Sequence, residues 1–243
     1  MDGTGRTTTG DKNMPDDVSG TPAAKTEYRD LPIIDLGQFL KSGGDEPGTL
    51  PEEVRHACEN IGFFFIVNHG VSEDLLKRIF EQTEAFHDLP LDAKTALNIN
   101  MNQRGYIAPK ATMVRHSTYN ENNKFDTNAT MVFATEYPED NPHRQAGKWF
   151  YDGNQWPDGL PGFTETVREY MATLTSLGKS LLPLWARALD LEPGFFDPYF
   201  ENNYTYFRMA HYPPVPDLEA NEFGLGPHAD TGFMTFLPQA DVD

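Results

Sequence analysis

Between Phe163 and Ala188 the apolar residues Phe163, Val167, Tyr170, Leu174, Leu177, Leu181, Leu184 and Ala188 recur at alternating steps of four and three. Side chains at that spacing share one face of an α-helix, so the stretch dictates a long helix, 163–189, whose stripe must be buried by the rest of the chain. Pro183 lies inside it. Lacking an N–H and clashing with the carbonyl four residues back, it should kink or break the helix there.

Upstream, Leu31-Pro-Ile-Ile-Asp-Leu36 reads as a short strand, with Pro32 suited to an edge or a first position. Lys41 to Gly48 is turn-rich. Thr49 and Glu52 form a capping-box pattern before Val54, Ala57, Cys58 and Ile61, which predicts a helix from about Pro51 to Gly62. Phe63 to Val67 follows as a continuous apolar run, the pattern of a buried strand. Ser72 with Glu73 and Asp74 starts another helix, its stripe running Leu75, Leu76, Ile79, Phe80, Thr83 and Phe86. A short helix is expected over Leu91 to Leu97. The segment from Asn98 to Asn128 is polar and irregular, with an Arg-Gly-Tyr turn at 104–106, and long loops of this kind often carry function. Met131 to Phe133 and Tyr204 to Tyr212 read as strands, with a short helical piece near Phe195 to Phe200 between them.

Composition excludes several classes. The formal charge is -18, from 37 acidic and 19 basic residues, and no cluster of Lys and Arg offers a surface for nucleic acid. No apolar run approaches the ~20 residues that span a bilayer, and the N-terminus lacks a secretory core. Residues 1–28 hold almost no large apolar groups and are expected to form a disordered leader. Cys58 is the only cysteine, so no intrachain disulfide can form; at helical spacing from Val54 and Ile61 it reads as a small core residue. A cytoplasmic protein is the expectation.

The chemistry concentrates in Phe223-Gly-Leu-Gly-Pro-His-Ala-Asp-Thr-Gly-Phe-Met-Thr-Phe-Leu237. On a strand His228 and Asp230, at i and i+2, project to one side, so an imidazole and a carboxylate can share one divalent ion. Non-haem Fe(II) oxygenases use two histidines and one carboxylate in this way, leaving the opposite metal face open. His69, in Asn-His-Gly, reads instead as a local hydrogen-bonding group at a strand end.

The stretch resembles the metal-binding strand of the 2-oxoglutarate and Fe(II)-dependent oxygenases, in particular the isopenicillin N synthase-like group. Leu31-Pro-Ile-Ile-Asp-Leu36, Gly62-Phe-Phe-Phe-Ile-Val-Asn-His-Gly70, Arg104-Gly-Tyr106, Asn154-Gln-Trp-Pro157, Leu160-Pro-Gly-Phe163 and Arg208-Met-Ala-His-Tyr-Pro-Pro214 resemble further stations of that group, in its order. The resemblance implies an α+β fold: an N-terminal helical and strand region over 29–200, then the start of a double-stranded β-helix, or jelly-roll, over 201–243, with the barrel incomplete in this chain. It implies Fe(II) and 2-oxoglutarate as cofactors, with O2 and a small organic molecule as substrates. His228 and Asp230 correspond to metal ligands and Tyr212 to a tyrosine that bonds a carboxylate of the co-substrate or substrate. Tyr106, Arg115 and Tyr119 fall in the region that walls the substrate pocket. His211, adjacent to Tyr212, should face the other way.

The chain also departs from the family pattern. The second histidine of the triad would lie roughly fifty residues beyond the aspartate, and the Arg-x-Ser pair that clamps 2-oxoglutarate later still; neither is in this sequence. At Ala210 some relatives carry an asparagine that helps to bind 2-oxoglutarate. The chain is therefore expected to be the N-terminal portion of an oxygenase, inactive alone, with 204–243 poorly packed and Phe236 without partners. Asp230 itself argues against halogenating variants, which place a small residue there. Two alternatives stay open: an oxidase of the isopenicillin N synthase type that needs no 2-oxoglutarate, and a non-catalytic binding or scaffold protein.

Overall fold

The computed structural model describes residues 31–115, 117, 120–217 and 219–239; the expected leader 1–28 and Tyr119 lie outside them. In chain order the elements are β1 (Ile33–Asp35), α1 (Gly37–Lys41), α2 (Leu50–Asn60), β2 (Phe65–Val67), α3 (Glu73–His87), α4 (Leu91–Thr95), β3 (Gly105–Ile107), β4 (Ala129–Ala134), α5 (Pro142–Gln145), α6 (Phe163–Ser180), α7 (Leu182–Ala188), α8 (Asp197–Phe200) and β5 (Tyr206–His211). The class is mixed α and β. Among the described residues no helix is long and apolar enough to cross a membrane.

The organising layer is an antiparallel sheet, β3-β4-β5, backed by α3 and α6. Tyr106 pairs with Met131, Met131 with Met209 and Phe133 with Phe207, so these side chains share one face. That face packs on Leu75, Ile79 and Phe86 of α3 and on Phe163, Val167 and Tyr170 of α6. Burial pushes the Tyr170 hydroxyl up to about 12. Arg78, reaching Asp74 at 2.8 Å and Glu169 at 2.9 Å, pins the two helices together. The sheet joins residues on both sides of the expected domain boundary at 200, because β4 pairs with β5 along its whole length.

The strand ends are closed by side chains. Asn154 stands in for a missing strand neighbour at Ala134, its Oδ1 accepting from the Ala134 N–H at 2.9 Å and its Nδ2 donating to the Ala134 carbonyl at 2.9 Å. Gln155 Nε2 donates to the carbonyl of Arg104 at 2.7 Å, and Trp156 stacks on Phe133 at 5.0 Å. The Asn-Gln-Trp-Pro turn is thus a plug for the β4 end of the sheet. Gly105 and Tyr106 of the Arg-Gly-Tyr segment, expected as a turn, instead open the strand β3, and the cause is their long-range pairing with β4. Arg104, just before the strand, is fully buried and donates to the carbonyls of Asn102, Thr135 and Phe150.

The predicted long helix breaks as Pro183 requires: α6 ends at Ser180, and Pro183 sits in the first turn of α7, where a missing N–H costs nothing. Leu177, Leu181, Leu184 and Ala188 pack on Ile34, Leu36, Phe39 and Val54 in a second core. Ser72 caps α3, accepting from the Leu75 N–H at 3.2 Å.

Several expectations are corrected here. Thr49 caps nothing with its side chain; its hydroxyl bonds Glu53 at 2.5 Å, because Thr49 is already in the helical region of backbone space. Cys58 is exposed: the buried residues of α2 run Pro51, Val54, Ala57, steps of three that carry the buried line past position 58. The run 63–67 is not a buried strand. β1 and β2 form a two-stranded parallel sheet that packs only through Ile34 and Ile66, leaving Ile33 67% and Phe63 63% exposed. Finally, Phe236 does find partners: with Met234 it packs on the second core, where Met234 Sδ also accepts from Trp185 Nε1 at 3.3 Å.

Candidate metal centre

The stretch 223–237 contains no strand among the described residues, against expectation. An extended segment becomes a strand only when a neighbour takes up its backbone groups in register, and here only two ladder-like bonds form, from Thr127 N–H to the Phe223 carbonyl and from Asn128 N–H to the Gly224 carbonyl, both 3.0 Å. They hold its first residues beside the start of β4. Gly224 is needed at this point: a Cβ there would lie 2.6 Å from Cδ1 of the Tyr212 ring, so ring and backbone are in direct contact.

Although no strand alternation aligns them, His228 and Asp230 converge. His228 Nδ1 lies 2.8 Å from the Gly226 carbonyl; a carbonyl only accepts, so Nδ1 carries a proton and Nε2 is the ring nitrogen left to face Asp230. Nε2 lies 3.2 Å from Asp230 Oδ1. The other carboxylate oxygen, Oδ2, accepts from the Thr235 hydroxyl at 2.6 Å. A proton on Nε2 makes this contact an ion pair, and a divalent cation in that proton's place would make the same two atoms metal donors. Metal bonds of about 2.1 Å at a right angle would separate nitrogen and oxygen donors by about 3.0 Å, close to what is seen. The pair fits one edge of a divalent-metal site. Among the described residues no third His, Cys, Asp or Glu joins it.

The remaining predicted residues are dispersed. Tyr212 follows β5 and is 56% exposed, its ring against Gly224. Tyr106 is 3% exposed, 6.1 Å from the Phe86 ring in the helix-backed core, and burial raises its hydroxyl pKa. Arg115 is exposed on the polar loop. Tyr119 is outside the described residues. His69 accepts from the Val71 N–H at 3.1 Å, the local role expected of it, and His211 turns to the helix side and stacks on His87 at 5.1 Å. Missed by the sequence reading were Asn122 and Asp126, which reach the metal-site segment from a loop about a hundred residues away. A polar residue in a polar loop carries no local signal of such a contact.

Comparison with known proteins bears on the family. Residues 31–159 match the family model described as non-haem dioxygenase in morphine synthesis N-terminal. The chain is 34% identical over 219 residues to the 2-oxoglutarate-Fe(II) type oxidoreductase hxnY of Emericella nidulans, covering 87% of this chain and 61% of that protein. It is 34% identical to kihadalactone A synthase LFS of Citrus sinensis, over 78% of this chain and 57% of that one, and 31% identical to a 2-oxoglutarate-dependent dioxygenase of Didymella fabae, over 90% and 68%. Among solved structures, a 2OG-Fe(II) oxygenase family protein from Caulobacter crescentus superposes with a TM-score of 0.63 at 21% identity, over 79% of this chain and 59% of that chain. JOX2 in complex with 2OG, Fe and JA also gives 0.63, at 25% identity, over 83% and 53%.

The chain belongs to the 2-oxoglutarate- and Fe(II)-dependent oxygenase superfamily. It spans 61% and 57% of the lengths of the Emericella and Citrus relatives.

Proposed function

We propose that the protein is an Fe(II)-dependent oxygenase that couples reduction of O2 and decarboxylation of 2-oxoglutarate to oxidation of a small organic molecule. The observation that carries this reading is the His228 Nε2 and Asp230 Oδ1 pair, 3.2 Å apart, with the imidazole tautomer set by the Gly226 carbonyl. His228 and Asp230 would hold the iron. Bound Fe(II) would supply O2 activation and a Lewis-acid anchor for the co-substrate. Thr235 keeps the carboxylate turned so that Oδ1 faces the imidazole. Tyr212 would contact a carboxylate of co-substrate or substrate, and Arg115 and Tyr119 would line the substrate side. In this reading the β3-β4-β5 sheet and the stretch 223–237 belong to one double-stranded β-helix. The names of the relatives support a 2-oxoglutarate-dependent reaction.

The test is 2-oxoglutarate consumption and O2 uptake by the intact protein with added Fe(II), compared with H228A and D230A. Each substitution should lower both rates by on the order of 100-fold or more, since even residues behind metal ligands are worth 10- to 100-fold. Undiminished turnover in H228A would sink the assignment. Uptake of O2 that persists without 2-oxoglutarate would replace it with a 2-oxoglutarate-independent oxidase.

A further inference from the structure

The segment that carries His228 and Asp230 has no strand pairing beyond Gly224, and both side chains are partly open to solvent, 31% and 52% exposed. Something else must hold them at 3.2 Å. The contacts that do so come from the polar loop preceding β4. Asp126, 4% exposed, accepts the Gly226 N–H on Oδ1 at 2.8 Å. The carbonyl of the same Gly226 accepts from His228 Nδ1. Asn122 Nδ2 donates to the next carbonyl, that of Pro227, at 3.1 Å. Gly226 is itself buried, and a Cβ there would meet the Asn122 amide at 2.9 Å, so the loop seats directly on the glycine. Further out, Lys110 pairs with Glu222 at 2.9 Å and Lys124 with Glu219 at 2.6 Å, and neither touches Gly226.

We propose that Asp126 is a positioning residue for the metal centre, fixing through the backbone at Gly226 the ring orientation and tautomer with which His228 presents Nε2, with Asn122 holding the Pro227 carbonyl one residue on. The physical basis is the placement of hydrogen bonds on successive peptide units: Asp126 holds the N–H of the Leu225–Gly226 peptide and Asn122 the carbonyl of the Pro227–His228 peptide, on either side of the Gly226–Pro227 peptide whose carbonyl meets His228. With the preceding peptide held at its N–H by a buried carboxylate and the following one held at its carbonyl by Asn122, the Gly226–Pro227 peptide between them cannot rotate freely, and its carbonyl stays aimed at Nδ1. Charge-assisted bonds of this kind are stronger than neutral ones, and groups that orient a ligand behind the metal are typically worth 10- to 100-fold in metal affinity. Asp126 is not a ligand in this scheme; it is spent on the peptide N–H.

The proposal rests on His228 being a metal ligand, and the test separates the two. Anaerobic titration of the intact protein with Co(II), followed by its visible absorption, gives a dissociation constant that needs no substrate. H228A first establishes the site: loss of the Co(II) spectrum is expected, whereas a wild-type protein that gives no spectrum, or one unchanged in H228A, overturns the metal-site reading and this proposal with it. With that established, D126A should raise the dissociation constant about 10- to 100-fold, D126N should stay within about threefold because its carbonyl can still accept from Gly226, and K110A should match wild type. Binding by folded D126A equal to wild type overturns the positioning role alone, as does equal weakening in K110A, which would mean general loosening of the loop. If D126A does not fold, N122A decides: weakening by several-fold supports the scheme, and unchanged binding overturns it.

Discussion

Along β4 every residue from Ala129 to Ala134 is buried and both neighbours pair with it, whereas the stretch 223–237, also rich in Phe, Met and Thr, keeps Phe223, Phe233 and Leu237 between 37% and 74% exposed and joins no strand. The two regions sit side by side where Thr127 and Asn128 meet Phe223 and Gly224. What separates them is the number of faces and edges that other elements occupy. β4 has β3 and β5 on its edges and α3 and α6 on one face; 223–237 has a polar loop at one end and the α6–α7 surface at the other. Burial in β4 makes a rigid wall. In 223–237 Phe233, Met234 and Phe236 anchor the far end on apolar partners, while around His228 order depends on a few polar bonds, which makes the His228–Asp230 geometry sensitive to single substitutions.

The largest contrast is expected from truncating one phenylalanine in each region. Phe133, with no exposed surface and ring contacts to Trp156, Phe163 and Phe207, should cost about 3–5 kcal/mol as F133A, while F236A, at a partly exposed position, should cost no more than about half of that. Urea unfolding measures both. Equal losses would break the distinction between the two regions.

A smaller effect should appear with pH on the helix side of the sheet. Burial pushes the His87 imidazole down to about 4, with the charges of His211 and Lys94 acting in the same direction and the bond to the Met209 carbonyl opposing. The folded state therefore binds the proton less readily than the unfolded state, whose histidine titrates near 6.5. Stability from this group is complete above that value, falls as pH drops towards 4, and levels off below. Between pH 7 and 5 the loss should be about 2 kcal/mol, and H87Q should remove that part of the slope. A wild-type profile that is flat from pH 7 to 5 would show that this side of the sheet is wet.

The smallest change concerns the helices behind β4. Arg78 is a third exposed and bridges Asp74 and Glu169, so R78A should cost about 1 kcal/mol or less, and 1 M salt should shrink the difference. A cost above that of F236A would mean that the α3–α6 pairing, rather than apolar packing, sets the stability of the sheet.

Much of this architecture was legible in the chain. The stripe from Phe163 to Ala188, its interruption at Pro183 and the Ser72 cap are local patterns: spacing, a missing N–H and a hydroxyl act within a few residues, so they read correctly without knowing the neighbours. His228 and Asp230 were legible as donors two residues apart, and the family likeness named their chemistry. Tertiary structure alone decided the rest. Gly105-Tyr106 joined a strand because β4 lay beside it, Cys58 faced outward because the buried line of α2 drifts by three, and 223–237 formed no strand despite a strand-like pattern. His228 and Asp230 lie 3.2 Å apart, with the Gly226 carbonyl on the His228 ring and Asp126, a hundred residues earlier, on the Gly226 N–H. Local pattern records what a segment can do, but pairing, burial and ligand aim are fixed by contacts whose partners are distant in the chain.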